Sequence, residues 1–250
     1  MKNLNLAADK DILSVDADCY QKGLSVACVI VGFHKRSPRV LLTKFGGSEK
    51  WMLPTSLVMK SETTEDAAMR LLGSKTGLKQ VNMQQFRLFG DSGRLSTDEV
   101  DTIMNLHGIE CNSGINRLVT LGYYALVDMT KAVLDTVPEL EMGWFSLKEL
   151  PELFGDDCHI AQAAFDEIRK YGYTRPLERD ILPDYFTIDE LKDVYEMVFQ
   201  KDFDTRNFER KVKSKGYIME STGYTDVGKA RLYYFNQKNF EQRADVIFWY

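Results

Sequence analysis

Residues 51–78 read WMLPTSLVMKSETTEDAAMRLLGSKTGL. The stretch begins with an apolar segment that contains one proline, continues with a polar turn, and ends with a segment in which charged and apolar residues are mixed. Glu65 and Asp66 follow a pair of threonines, and acidic side chains favour the first turn of a helix because its free amide groups carry partial positive charge. Gly77 closes the segment, as glycine commonly does after a helix. The stretch therefore predicts a helix that begins near Thr64 and ends at Gly77.

Strand and helix patterns lie on both sides of this stretch. β-branched, aromatic and other apolar residues predict strands at residues 24–33, 40–44, 85–89, 118–127 and 141–145. Residues 159–171 place apolar side chains on one helical face, at Ile160, Ala163, Ala164 and Ile168. This order of strands and helices predicts a mixed α/β domain.

Residues 91–116 interrupt that pattern, because they are polar, contain glycine and form a long segment. A loop of this length in a compact domain is usually functional or disordered. We interpret the segment as a loop and as a candidate lid over a binding site.

A second pattern follows residues 175–183, where prolines and charges predict a linker. Thr187 and Glu190 match a capping box at the start of an amphipathic helix. Asp204 precedes a further helix, which is basic on most of its surface.

A predicted hairpin completes this second pattern, with strands at residues 217–220 and 231–235. Helix, turn, basic helix and two-stranded wing together predict a winged helix-turn-helix. The chain therefore divides into residues 1–177, an α/β domain, and residues 178–250, the winged helix.

Composition excludes several classes of protein. The net charge of -5 argues against indiscriminate nucleic-acid binding by the whole surface, although not against a local basic element. No run of about eighteen uncharged apolar residues predicts a membrane span. The four cysteines lie far apart, which favours neither a zinc cage nor a disulfide framework. We expect a cytoplasmic protein with no cofactor and no membrane partner.

The opening stretch resembles the Nudix box, in which glycine, glutamate, arginine, a group of glutamates and a second glycine recur at fixed spacing. The positions that match its frame are Ser56, Glu62, Arg70, Gly77 and Leu78, and the approach matches at Trp51, Leu53 and Pro54. The resemblance implies a Nudix fold, with a mixed sheet between helices.

The chemistry of the box is absent. Nudix hydrolases hold Mg²⁺, which prefers oxygen ligands, with carboxylates on one helical face. At those positions this sequence has Leu71, Ser74 and Lys75. We therefore expect no catalytic residues, no metal and no hydrolase activity.

An enzyme with a non-standard metal site is the alternative. Glu62 with Glu65 and Asp66, or Asp98 with Glu99, would supply its carboxylates. Magnesium-dependent turnover of ADP-ribose or a nucleoside diphosphate would support that alternative.

The basic helix and the wing carry the candidate DNA contacts. Arginine and asparagine read purine edges in the major groove, and lysines hold phosphates. The candidates are Thr205, Arg206, Asn207, Arg210, Lys211, Lys213, Lys229 and Arg231. A solvated helix face, or a winged helix that binds protein rather than DNA, is the competing interpretation.

Nearly the whole chain resembles the Nudix-related transcriptional regulators, through the box and through the phrases at 182–191, 204–211 and 230–235. Glu209 departs from the basic residue usual in that family. The resemblance implies a homodimeric regulator, a repressor, that binds double-stranded operator DNA and senses a small molecule. The implied effector is a sugar such as arabinose or a nucleotide-like molecule, so sugar metabolism is one expected setting.

The effector is expected where a Nudix substrate would lie. The candidate residues for contacting it are Lys44, Trp51, Glu62, Arg70 and Arg117. Each has a structural alternative: Trp51 as core, Arg70 as a partner of Glu62, and Arg117 as a charge at a strand edge. His107 and His159 have no metal-like partners at ligand spacing, and we interpret them as surface or helix residues.

Overall fold

The structure is a computed structural model that describes residues 17–34, 37–78, 81–109, 115–129, 131–134, 140–172, 181–214, 216, 218–225 and 230–236. The chain divides into two compact units, residues 1–32 with 39–164, and residues 33–38 with 165–250. The predicted domain boundary at residues 177 and 178 lies outside the described residues, as does most of the predicted linker. That boundary stays a prediction.

A six-stranded sheet forms the first unit. Its strands are β1 (Tyr20–His34), β2 (Ser37–Phe45), β3 (Thr55–Met59), β4 (Met83–Phe89), β5 (Val119–Asp128) and β6 (Leu140–Ser146). They lie in the order β4, β5, β1, β2, β6, and β3 pairs with β1 outside this path. The pairs β1 with β3, β2 with β6, and β4 with β5 are antiparallel. The predicted strands are confirmed, and β3, inside the opening stretch, was missed.

Helix α1 (Thr64–Thr76) begins and ends as the sequence predicted. The Thr63 hydroxyl accepts the amide of Asp66, and the Asp66 carboxylate accepts the amide of Thr63, which completes a capping box. Gly77 ends the helix with a φ of 69°, a left-handed conformation that glycine adopts without steric cost. One face of α1 packs on the sheet through buried apolar side chains, among them Ala68, Leu71 and Leu72.

Helix α2 (Thr97–Leu106) corrects the interpretation of residues 91–116 as a loop. A capping box joins Ser96 to Glu99, and the buried residues Val100, Ile103 and Met104 follow at helical spacing. These three side chains pack in a core with Tyr20, Leu57 and Leu118. The helix is thus anchored in a core rather than being an open loop; the candidate lid role of the segment stays a prediction, and residues 110–114 lie outside the described residues.

Helix α3 (Asp157–Gly172) follows β6 and confirms the helix predicted over residues 159–171. A short 3₁₀ turn, Ala17–Cys19, precedes β1. Cys28 is buried, whereas Cys19 and Cys158 are exposed, and all three are free thiols. None of the helices in the described part of the chain has both the length and the apolar character that crossing a membrane requires.

The second unit contains helices α4 (Ile188–Phe199) and α5 (Thr205–Ser214) and strands β7 (Ile218–Tyr224) and β8 (Arg231–Phe235). Strands β7 and β8 pair antiparallel, and Phe186 adds a bridge to Tyr233 on β8. Phe186, Tyr195, Phe208 and Tyr233 are central to one buried cluster that joins the helices to the hairpin. The predicted winged helix-turn-helix is confirmed; β7 runs further than predicted.

Candidate effector site and DNA-binding surface

Glu62 and Arg70 form a bidentate ion pair in the opening stretch. Arg70 Nη2 lies 2.7 Å from Glu62 Oε1, and Arg70 Nε lies 3.0 Å from Oε2. The backbone amide of Met59 also donates to Glu62 Oε1, at 2.8 Å. Both carboxylate oxygens therefore have internal donors, as the structural alternative for Arg70 predicted, and this fork geometry fixes the loop between β3 and α1.

Arg70 also reaches strand β3, where Nη1 donates to Ser56 Oγ at 3.2 Å and Nη2 donates to the carbonyl of Leu57 at 3.2 Å. His107 meets the same strand, because its Nε2 accepts the amide of Leu57 at 3.2 Å. Its Nδ1 lies 3.0 Å from the carbonyl of Ile103, so the proton is assigned to Nδ1.

The pKa of His107 is lowered to about 4, mainly by burial and to a smaller extent by the charges of Arg70 and Lys75, while the hydrogen bond to Ile103 opposes the shift. His107 was interpreted as a surface or helix residue, and it caps the C-terminal end of α2. Its ring is neutral and belongs to the hydrogen-bond network of the box. His159, by contrast, is an exposed helix residue, as expected.

The positions that carry metal-binding carboxylates in a Nudix hydrolase have other roles here. Leu71 is 3% exposed and lies in the core, and Ser74 donates to the carbonyl of Leu71 at 2.9 Å. Lys75 lies in the last turn of α1. Within the described ranges, no group of three or more histidine, cysteine, aspartate or glutamate residues could hold a metal ion. These residues do not fit Mg²⁺.

Three carboxylates of the alternative metal sites, those of Glu62, Asp66 and Glu99, have hydrogen-bond partners within the protein. Asp66 caps α1, and the hydroxyl and amide of Thr63 lower the pKa of Asp66. Glu99 caps α2 and also accepts the amide of Gly155 at 3.0 Å and Lys50 Nζ at 3.3 Å. A carboxylate that already accepts backbone amides is a poor metal ligand, which weakens the enzyme hypothesis.

The candidate effector residues fall into three groups. Lys44 Nζ lies 2.7 Å from Glu141 and 4.9 Å from the centre of the Trp51 ring, and Trp51 packs edge-on against Phe145 at 4.5 Å. Glu62 and Arg70 form the second group. Arg117 is exposed and donates to the carbonyl of Gly90. The structure thus brings together Lys44 with Trp51, and Glu62 with Arg70.

An open cavity of about 580 Å³ beside α2 was not predicted. Arg94 is buried at its edge, donating to Thr120 Oγ1 at 2.8 Å and lying 2.9 Å from Asp156. Nearby, Asp157 is buried and accepts the amide of Leu53 at 2.8 Å. Burial raises the pKa of Asp157 to about 7. Only tertiary structure joins these residues, so no local pattern in the sequence marks them.

Helix α5 buries Phe208 and Val212 and exposes its opposite face. The exposed or half-exposed residues there are Arg206, Asn207, Arg210 and Lys211. Arg210 Nη2 donates to Asn207 Oδ1 at 3.0 Å, and the buried Lys192 donates to Thr205 Oγ1 at 3.0 Å. This face presents the side chains that a recognition helix needs.

Two predicted DNA contacts are instead tied to carboxylates. Lys213 Nζ lies 2.9 Å from both Glu209 and Glu220, and these carboxylates raise the pKa of Lys213 above its usual range. Arg231 pairs with Glu220 and donates to Tyr224 Oη at 2.9 Å. This cluster joins α5 to the wing. Lys229 lies outside the described residues.

Comparison with known proteins matches residues 179–235 to the model of the NrtR DNA-binding winged helix domain. The chain is 24% identical over 198 residues to the ADPR responsive transcriptional repressor NtrR of Acinetobacter baylyi. The aligned region covers 76% of this chain and 72% of that protein.

Solved structures show the same fold over most of the chain. NrtR of Shewanella oneidensis has a TM-score of 0.68 at 20% identity, covering 88% of this chain and 96% of that one. Its complex with a 27mer DNA has a TM-score of 0.67 at 21% identity, covering 87% and 95%. A MutT/nudix family protein of Enterococcus faecalis has a TM-score of 0.65 at 20% identity, covering 86% and 88%. The chain therefore has the Nudix-plus-winged-helix fold of NrtR, and its residues 179–235 match the NrtR family of DNA-binding winged helix domains.

Proposed function

We propose that this protein is a transcriptional repressor that binds operator DNA through α5 and responds to a nucleotide-like effector through its Nudix domain. The observation that carries the proposal is the winged helix, which presents Arg206, Asn207, Arg210 and Lys211 on the face opposite its core. Arginine and asparagine suit purine edges, and lysine suits phosphates. The match of this domain to the NrtR family and the fold shared with DNA-bound NrtR support it.

The proposed effector is ADP-ribose or a molecule like it. The relative from Acinetobacter baylyi is described as ADPR responsive. In this chain the loop and helix of the Nudix box keep their frame, held by Glu62 and Arg70. Trp51, in an isolated bridge at the start of the opening stretch, and Lys44, on β2, supply a half-buried ring and a cation. A sugar such as arabinose is the competing effector and serves as the second ligand in the test.

The Nudix domain is proposed to bind without hydrolysing. Leu71 and Lys75 leave no carboxylate face for a metal, and a metal-bound water is the nucleophile that diphosphate hydrolysis requires. Magnesium-dependent turnover of ADP-ribose, lost in Glu62→Gln, would contradict this part of the proposal.

The protein is proposed to act in the cytoplasm. It is also proposed to be a homodimer, because a two-fold symmetric repressor contacts two half-sites about one helical turn, roughly 34 Å, apart. Light scattering coupled to size exclusion measures the oligomeric state. DNase footprinting upstream of the gene and its neighbours should protect two related half-sites on one face of the DNA. Uniform protection of unrelated DNA would contradict operator binding.

If the winged helix binds a protein rather than DNA, the variant that tests its basic face should behave differently. In that case, replacing Arg210 and Lys211 together by alanine leaves the function and its salt dependence unchanged. For a repressor, the same double variant loses the footprint while the domain stays folded, because both side chains lie outside the core.

A further inference from the structure

We propose that Glu220 on the wing limits the affinity of this protein for DNA of any sequence, because its carboxylate neutralises two cations beside the recognition face, Lys213 and Arg231. The inference rests on the proposed function, since it takes α5 as the helix that reads DNA. It adds a residue that sets the electrostatic part of DNA binding, which does not depend on the base sequence.

Lys213 lies in the same row of α5 as two arginines of the recognition face. Arg206, Arg210 and Lys213 follow one another at spacings of four and three residues, so they share one side of the helix. That side is opposite the buried seam of Phe208 and Val212. A cation in this row is placed to meet a phosphate when the helix lies in the major groove.

The wing supplies the negative charge that holds this lysine. Glu220 lies on β7, and its Oε1 accepts from Lys213 Nζ on α5 at 2.9 Å. Its Oε2 accepts from Arg231 on the neighbouring strand β8. Hydrogen bonds from Lys213 and Arg231 lower the pKa of Glu220, so its carboxylate is charged at neutral pH. Each oxygen of one carboxylate therefore holds one cation.

The charges of the whole cluster cancel. Glu209, one turn before Lys213 on α5, also lies 2.9 Å from the lysine, so the cluster contains two carboxylates and two cations. Sequence-independent affinity for DNA comes from cations that neutralise phosphates and release their counterions. A cation that already pairs with a carboxylate must exchange one anion for another to do this. The cluster therefore lowers affinity for every DNA sequence and leaves base reading to the arginines and Asn207 of α5.

The other contacts of the two cations determine which one is released when Glu220 loses its charge. Arg231 also donates to Tyr224 Oη at 2.9 Å, but a hydroxyl does not offset the charge of a guanidinium. Lys213 keeps Glu209 as a second carboxylate partner. Glu220→Gln should therefore release Arg231 alone. Glutamine keeps a carbonyl oxygen and nearly the same shape, so we expect the hairpin to stay folded.

Fluorescence anisotropy of the full chain over a salt series tests this inference, with DNA from upstream of its own gene and scrambled DNA as the probes. Glu220→Gln should steepen the slope of log K against log salt concentration by about 0.9, the value of one phosphate contact. Binding should tighten about eightfold at about 0.1 M salt. The gain should be equal on both DNAs, because a phosphate contact carries no sequence information. Adding Glu209→Gln should release Lys213 as well and steepen the slope by about 1.8 in all.

Two further variants separate the release of Arg231 from a general change in charge. Asp184→Asn removes another exposed carboxylate of the same unit and should leave the slope as in the wild type. Glu220→Gln with Arg231→Gln removes the released cation too and should return the slope to the wild-type value. Circular dichroism melting shows whether each variant is folded. If Glu220→Gln is not, Arg231→Gln alone gives the answer, since a cation that holds no phosphate leaves the slope unchanged when it is removed.

An unchanged slope in folded Glu220→Gln, an equal gain in Asp184→Asn, a gain confined to the upstream DNA, or a slope that falls by about 0.9 in Arg231→Gln overturns the inference. The inference and the repressor proposal fail separately. Tighter binding of Glu220→Gln to both DNAs, when the wild type does not prefer the upstream DNA, supports the role of Glu220 and contradicts the repressor. Selective binding by the wild type with an unchanged slope in Glu220→Gln contradicts only the role of Glu220.

Discussion

Lys211→Ala should reduce the salt dependence of operator binding. Removing the charge of Lys213 together with that of its partner Glu209 should leave the salt dependence unchanged. Lys211 is half-exposed on the surface of α5 that also carries Arg206 and Arg210. Lys213 lies 2.9 Å from Glu209 and 2.9 Å from Glu220. A lysine held between two carboxylates does not neutralise a DNA phosphate, so it releases no counterion from the DNA.

The expected size follows from counterion release. Each phosphate contact contributes about 0.9 to the slope of log K against log salt concentration. Losing the contact of Lys211 should therefore lower the magnitude of the slope by about 0.9. Between about 50 and about 200 mM salt, the wild type should lose about 3.5-fold more affinity than the variant.

Fluorescence anisotropy over a salt series measures both slopes. The control is Lys213→Met with Glu209→Gln, which removes one positive and one negative charge and leaves the net charge unchanged. An unchanged slope in Lys211→Ala refutes the phosphate contact of Lys211. A slope in the control that falls as far as in Lys211→Ala refutes the assignment of Lys213 to a structural cluster.

Further predictions concern stability. Arg70→Ala leaves the mostly buried carboxylate of Glu62 without its charged donor and should lower the free energy of unfolding by about 1–3 kcal/mol in urea denaturation; an unchanged midpoint and slope would show that the pair contributes nothing. Thr187→Ala removes the cap of α4 and should cost about 1 kcal/mol in the same assay, with Thr187→Ser close to wild type. The pKa of Asp157 is raised to about 7 in the folded protein, so between about pH 4.5 and 6.5 unfolding releases a proton from Asp157. The pKa of His107 is lowered to about 4, so in the same range unfolding takes up a proton on His107. The effects of the two residues on the pH dependence of stability therefore oppose each other. Asp157→Asn should therefore make stability rise with pH in this window and His107→Gln should make it fall; the same pH profile in both variants and the wild type would contradict these environments.

The elements predicted best from the sequence are those with local chemistry at their ends. Thr187 with Glu190, and Gly77, each determine a helix boundary through hydrogen bonds or backbone conformation within a few residues. The winged helix was predictable because both its helices and its hairpin carry such signals. Helix α2 carries one too, at Ser96 and Glu99, but the polar composition around it favoured a loop.

The features that sequence reasoning missed depend on distant parts of the chain. Arg94 meets Asp156 only because the loop before α2 packs beside the loop before α3. His107 accepts a hydrogen bond from the amide of Leu57, which is fifty residues earlier in the chain. No local sequence pattern predicts this contact. The partner of Lys213 on its own helix, Glu209, is four residues away and was visible in the sequence, whereas Glu220 on the wing was not.

The most direct test of the repressor proposal is the anisotropy of the full chain on DNA from upstream of its own gene, against scrambled DNA, with and without ADP-ribose. The account predicts selective binding with a steep salt slope, and a shift in affinity when ADP-ribose is added in the presence of EDTA. Equal, weak binding to every fragment, with no response to ADP-ribose, would contradict it.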